Sequence, residues 1–298
     1  MASMKFQPVL SLVSRVGRGP MRGLSSRTLD ESTIVPGSLP LGSRVVAPDP
    51  RAVAAHSLHG STAERTLRPA IVVLQEWWGV NPAVLAHAQR VANITGAIAI
   101  VPDMYNGKAT SDAEEAKRLM DNLDWPKALG DLKNLIRILQ TPADAPMGLY
   151  KDRKVGTLGF CMGGALSLAA AAKMAEVKKP LNACVSFYGT PSPKLIDISN
   201  IPAMTPVQAH FGEKDEYFGF SDIKTAKKLA EMWDLTIKNL GGAHAHGFHS
   251  LESNVYVHEG LGHAFMNEDG SKPHVVGGEV DKAWERVAKF FVEHLKTV

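Results

Sequence analysis

Residues 154–164 read KVGTLGFCMGG, and within them Gly159-Phe160-Cys161-Met162-Gly163 is G-x-C-x-G, the cysteine counterpart of the G-x-S-x-G nucleophile motif. An apolar run precedes the motif and an Ala-rich run follows it. This pattern places Cys161 at the tip of a tight strand-to-helix turn. Such a tip exposes the side chain on a strained backbone, and the flanking glycines, joined by Gly164, let strand and helix approach without Cβ clashes. The N-terminus of the helix that follows favours a thiolate and any oxyanion, and the Met162 N–H becomes one oxyanion donor. The other cysteine, Cys184, lies inside the apolar run Leu181–Phe187 and reads as a core residue. Two cysteines in so long a chain form no disulfide framework, so both thiols are expected free in a reducing compartment.

A cysteine nucleophile of this kind needs a base, and the base an acid, in chain order nucleophile, acid, histidine. Downstream, the apolar run Val207–Phe211 ends in Gly212-Glu213-Lys214-Asp215-Glu216. Asp215 is the preferred acid, with Glu213 and Glu216 as rivals. Further on, Gly260-Leu261-Gly262-His263-Ala264-Phe265 is a glycine-flanked loop that presents His263 as base and proton shuttle. His244, His246, His249 and His258 compete for that role. The H-x-H-x-x-H grouping of the first three has no nearby carboxylate or cysteine to complete a ligand set, so no metal is expected.

These residues need a frame. Buried strands are expected at Ala70–Gln75, Ala97–Val101, Lys154–Phe160, Leu181–Phe187 and Val207–Phe211, and a short one at Asn254–His258. Helices are expected at Pro82–Thr95, opened by Asn81, and at Ser111–Asn122, Trp125–Gln140, Gly163–Glu176, Ser221–Met232 and Glu279–Lys296. Leu235–Leu240 reads equally as a strand or as a helix extension. An edge strand is placed at Arg44–Ala47. Strands alternating with helices build a mostly parallel sheet with helices on both faces. Ligands on such sheets bind beyond the carboxyl ends of the strands, which is where Cys161, Asp215 and His263 fall.

Four segments together resemble the dienelactone hydrolase family: Gln75-Glu76-Trp77-Trp78-Gly79, Pro102-Asp103-Met104-Tyr105, Gly159–Gly164 and Gly262-His263-Ala264-Phe265. The likeness runs through residues 70–295. It implies the α/β-hydrolase fold, a Cys161–Asp215–His263 triad, and cleavage of ester or lactone bonds without a cofactor. It also implies that Glu76 accepts a hydrogen bond from the resting thiol until substrate displaces it, and that the Trp77 N–H is the second oxyanion donor. The family's type enzyme holds a substrate carboxylate with two arginines, and here those positions are Gly107 and Asn267, with Lys108 one place late. A lysine is a point charge without the arginine fork. The expected substrate is therefore a more apolar acyl or lactone group than dienelactone, met by Trp78, Tyr105, Phe265 and Lys108. Core packing explains the aromatic residues equally well. A non-catalytic binding protein on the same fold and a thiol redox sensor are the alternatives.

The chain has 298 residues, 45% of them hydrophobic, enough for one domain over 69–298 behind a partly irregular segment, 30–68. The net charge of +3 is local in origin. Residues 1–29 hold Lys5, Arg15, Arg18, Arg22 and Arg27 and no acid; taking those 5 from the 33 basic residues leaves 28 against 30 acids, a net of −2. That balance argues against nucleic acid as a partner. The basic, Ser-rich, acid-free leader has the pattern of an organellar transit peptide, mitochondrial first and plastid second. No apolar run approaches the ~20 residues of a membrane span.

Overall fold

A computed structural model describes residues 39–49, 68–141, 153–239, 255–267 and 278–296. Among the described residues seven strands form one sheet: β1 (Arg44–Val46), β2 (Ala70–Leu74), β3 (Ile98–Val101), β4 (Val155–Phe160), β5 (Ala183–Phe187), β6 (Val207–Gly212) and β7 (Val255–His258). Their order is β1-β3-β2-β4-β5-β6-β7. The edge strand β1 runs antiparallel to β3, and every other pairing is parallel.

Among the described residues seven helices accompany the strands: α1 (Pro82–Thr95), α2 (Ala113–Asp121), α3 (Trp125–Gln140), α4 (Met162–Glu176), α5 (Ile201–Met204), α6 (Ile223–Asn239) and, after the last strand, α7 (Glu279–Leu295). Side chains alternate across the sheet, which divides the core in two. Ala70, Val72 and Leu74 of β2 face a cluster with Leu132 and Leu135 of α3, Leu166 of α4, and Leu229 and Trp233 of α6. Ile71 and Val73 face the opposite cluster, with Val84 and Val91 of α1 and Trp284, Val287 and Phe291 of α7. Both faces of the sheet are therefore covered, as the strand–helix alternation requires.

Local chemistry sets the helix ends. Asn81 accepts a hydrogen bond from the Val84 N–H at 3.0 Å, and Gly96 closes α1 in the left-handed conformation. Asp112 accepts from the Glu115 N–H at 2.8 Å, so α2 starts at Ala113, two residues inside the expected boundary. The ambiguous segment after Met232 continues α6 as helix to Asn239. The short helix α5 was not anticipated; four residues carry no periodic signal. Among the described residues no helix is long and apolar enough to cross a membrane. The leader 1–29, most of 30–68, and His244, His246 and His249 lie outside the described residues.

The strand order reverses between β2 and β4. The chain passes from β2 outward to β3, then returns to lay β4 on β2's other side. A crevice opens at such a point beyond the strand ends. Glu76 leaves β2 and Cys161 leaves β4 on either side of it.

Candidate active site

Cys161 stands at the junction of β4 and α4 with φ 53° and ψ −118°, a region that L-residues rarely occupy. Its neighbours hold it there. The Cys161 N–H donates to the Phe187 carbonyl at 3.0 Å, and the Cys161 carbonyl accepts from the Ala165 N–H at 3.1 Å. The turn is so tight that a Cβ on Gly159 would lie 1.9 Å from the Gly163 carbonyl oxygen. Just past β5, a Cβ on Gly189 would lie 2.1 Å from the Cys161 carbonyl oxygen. The G-x-C-x-G spacing is thus a packing requirement between β4 and α4, with β5 closing the third side.

The imidazole of His263 meets the thiol across the sheet end. Its Nε2 lies 3.2 Å from Cys161 Sγ, and its Nδ1 lies 2.7 Å from Asp215 Oδ2. Asp215 is buried, and its other oxygen accepts from the Tyr217 N–H at 3.0 Å, which fixes the carboxylate plane. Ser221 Oγ also approaches His263 Nδ1, at 3.2 Å. The loop bearing His263 is tied to the end of β6, because the Lys214 N–H donates to the Leu261 carbonyl at 2.7 Å.

The rival residues have other partners. Glu213 accepts from the Gly260 N–H at 2.8 Å and braces the histidine loop, and Glu216 is exposed. His258 is buried, with Nε2 3.0 Å from His210 and Nδ1 3.0 Å from Glu279. Cys184 is buried against Ser167 at 3.4 Å, and burial pushes its thiol up to about 11.

Glu76 is buried beside the thiol. Its Oε1 accepts from the Tyr188 hydroxyl at 3.2 Å and its Oε2 from Asn267 Nδ2 at 2.8 Å. This differs from the expected hydrogen bond between thiol and glutamate: the sulfur faces His263, and both glutamate oxygens are engaged elsewhere. Burial raises the Glu76 carboxyl above its usual range, opposed by Asn267, His263 and Tyr188. Burial, and then the Glu76 charge, raise the Cys161 thiol, while the Met162 N–H pointing at the sulfur lowers it. Loss of the thiol proton to bulk water is therefore unfavourable, and His263 is the acceptor in contact.

The remaining candidates divide. Trp77 and Trp78 are half-buried and meet edge to face at 5.0 Å. Tyr105 is buried, with its hydroxyl donating to Met162 Sδ at 3.2 Å. Phe265 is a correction: its ring belongs to the core, 5.2 Å from Tyr188 and 5.9 Å from Phe187. Lys108 is exposed. Three site residues escaped sequence reasoning: Tyr188, Ser221 and Tyr217. The Tyr217 ring is half exposed and lies 4.4 Å from His263. A tyrosine directly after a buried strand was the available signal for Tyr188; the other two carry none.

The described arrangement is a thiol, an imidazole and a carboxylate in line, at the mouth of a parallel sheet. The dienelactone hydrolase family profile matches residues 56–259, which include Glu76, Cys161 and Asp215. Protein usf of Aquifex pyrophilus is 29% identical over 237 residues, spanning 76% of this chain and 89% of its own. A carboxymethylenebutenolidase of Pseudomonas putida is 29% identical over 171 residues, spanning 54% of this chain and 66% of its own. A solved dienelactone hydrolase-like promiscuous phosphotriesterase from metagenomic libraries shares the fold, with a TM-score of 0.54 at 19% identity over 85% of this chain and 98% of its own. With residues 56–259 matched, more than half of its length, the chain belongs to the dienelactone hydrolase family and is a hydrolase of the α/β-hydrolase fold.

Proposed function

We propose that this hydrolase cleaves ester or lactone bonds with Cys161 as nucleophile, Asp215 and His263 as its partners, and no cofactor. The observation that carries the reading is the contact of Cys161 Sγ with His263 Nε2 at 3.2 Å, with Asp215 Oδ2 2.7 Å behind His263 Nδ1. As Sγ bonds to the substrate carbonyl carbon, its proton passes to His263 Nε2, and the new imidazolium is stabilised by Asp215. The carbonyl oxygen, now an oxyanion, rests on the N–H of Met162 at the head of α4 and on that of Trp77, just past β2. His263 then protonates the leaving oxygen, the C–O bond breaks, and a thioester remains. A water that gives its proton to His263 attacks the thioester. The C–S bond breaks, the acid is released and the thiol is restored. A thioester substrate follows the same steps.

The first test is hydrolysis of p-nitrophenyl acetate by the wild type beside Cys161→Ala. The expected loss is at least about 10³-fold, together with an acetyl adduct on Cys161 in quenched wild-type samples. Activity retained in Cys161→Ala refutes the cysteine mechanism. For residues 1–29 we propose mitochondrial targeting, supported by their basic, acid-free composition. A fluorescent protein carrying those residues should enter mitochondria; a diffuse or plastid signal overturns this.

A further inference from the structure

We infer that Asn267 is a positioning residue that clamps Glu76 away from the Cys161 thiol and so leaves the thiol engaged with His263 before any substrate arrives. This rests on the reading of Cys161 as nucleophile. An ionised carboxylate beside a thiol is a natural acceptor for the S–H, and a thiol held that way is a poor nucleophile. Glu76 is near enough for its charge to act on Cys161. Its two oxygens nevertheless point elsewhere, to Tyr188 at 3.2 Å and to Asn267 at 2.8 Å. Asn267 is itself held in orientation. Its Oδ1 lies 3.4 Å from Nε2 of His87, a buried imidazole stacked on Phe160 at 4.4 Å. Burial depresses His87 to about 4, so it is neutral and can donate that ring N–H to the Asn267 carbonyl. The amide then has its Nδ2 free to donate in one direction, toward Glu76.

The clamp belongs to the segment that carries the base. Asn267 follows His263 by four residues, and the Asn267 N–H closes a turn onto the Ala264 carbonyl at 3.0 Å. Ala264 holds φ 56° in that turn. The adjacent Met266 N–H supports the Tyr188 hydroxyl, the second donor to Glu76. Seating this one loop therefore delivers the imidazole to the sulfur and withdraws the competing carboxylate from it. The titratable groups facing the thiol come from five strand ends: Glu76 after β2, Tyr105 after β3, Tyr188 after β5, Asp215 after β6 and His263 after β7.

The test is the rate of Cys161 alkylation by iodoacetamide against pH, in the full chain without substrate. Iodoacetamide reads the state of the thiol and not hydrolysis, so it is independent of the ester assay: activity surviving in Cys161→Ala would sink the nucleophile reading alone. Replacing Asn267 with Leu removes the donor and keeps the branched shape of the side chain. The alkylation rate at neutral pH should fall about tenfold, with the inflection moving up by about one pH unit, as Glu76 turns to accept the S–H. In Asn267→Leu combined with Glu76→Ala the rate should recover, because no carboxylate remains to capture the thiol. An unchanged profile in Asn267→Leu, an inflection that moves down, or a double variant as slow as the single one overturns the proposal. If Asn267→Leu fails to fold by circular dichroism, His87→Phe removes the donor behind the amide. It should shift the profile in the same direction by less, and a profile superimposable on wild type overturns the proposal there.

Discussion

The close contact of β4 with α4 predicts the outcome of adding one methyl group at Gly159. In an ordinary strand, Gly→Ala stabilises by about 0.4–1 kcal/mol through the unfolded chain. Here the new Cβ would lie 1.9 Å from the Gly163 carbonyl oxygen and 2.8 Å from the Gly164 nitrogen. Both are backbone atoms that no rotamer change can move. Strand and helix must therefore separate by about 1 Å, in an interior packed as densely as a crystal. Overpacking of this kind costs about 1–3 kcal/mol or more, which outweighs the entropic gain. The displaced elements are those that hold Cys161, so the sulfur moves relative to His263. A misplacement of about 1 Å costs about 10²-fold in rate. Gly159→Ala should thus lower urea stability by about 2 kcal/mol and kcat on a small ester by about 10²-fold. The control is Gly262→Ala, where the nearest atom to a new Cβ is the Lys214 carbonyl oxygen at an ordinary 3.7 Å. That variant should stay within about 0.5 kcal/mol of wild type. A Gly159→Ala protein as stable and as active as Gly262→Ala would refute the packing argument for the elbow.

Other measurements follow from the same site. Asp215→Asn keeps the shape but removes the anion behind His263, and kcat should fall by about 10³–10⁴ with the fold intact by circular dichroism. In the native protein iodoacetamide should label Cys161 and spare Cys184, whose thiol is buried; peptide mass mapping that finds both labelled refutes this. His87, His210 and His258 are buried and held below the ordinary imidazole value of 6.5, first by burial in each case. The unfolded chain binds protons that these groups refuse, so stability is full above pH 6.5 and declines as pH falls. His87, depressed to about 4, accounts for about 3 kcal/mol of that decline between pH 6.5 and 4. Urea titrations across this window should show a shallower slope for His87→Phe, and an equal slope argues against a neutral buried His87.

Much of the frame was legible because its signals are local and repeated. Apolar runs such as Ala70–Leu74 are buried on both faces, and composition alone marks them. Asn81 with Pro82 announces a helix start through a cap that the structure contains. The elbow was legible for a different reason: its glycines answer to a steric demand that few other sequences meet. Chain order admits Asp215, Glu213 and Glu216 alike, and the contact of Asp215 with His263 is what separates them. The network around Glu76 was not legible. Asn267 sits 191 residues from Glu76, and Tyr188 sits 112 residues from it. Neither pairing follows from periodicity. Phe265 was open between core and substrate because an aromatic beside the His263 loop suits both, and only its packing on Phe187 and Tyr188 decides.

The distance along the chain between the partners of this site has a consequence during synthesis. Cys161 and His263 are 102 residues apart, and the Asn267 contact with Glu76 closes a loop of 191. Contacts of such span form after the local helices, since the entropy of closing long loops must be met first. At about 5–20 residues per second, a growing chain carries its thiol for about 5–20 seconds before the histidine has even been polymerised. During that interval neither the imidazole nor the loop that carries it exists. Oxidation of Cys161 in that interval would leave a chain unable to form the contact between thiol and imidazole, so the redox state of the compartment that makes the protein bears on the site before the site exists.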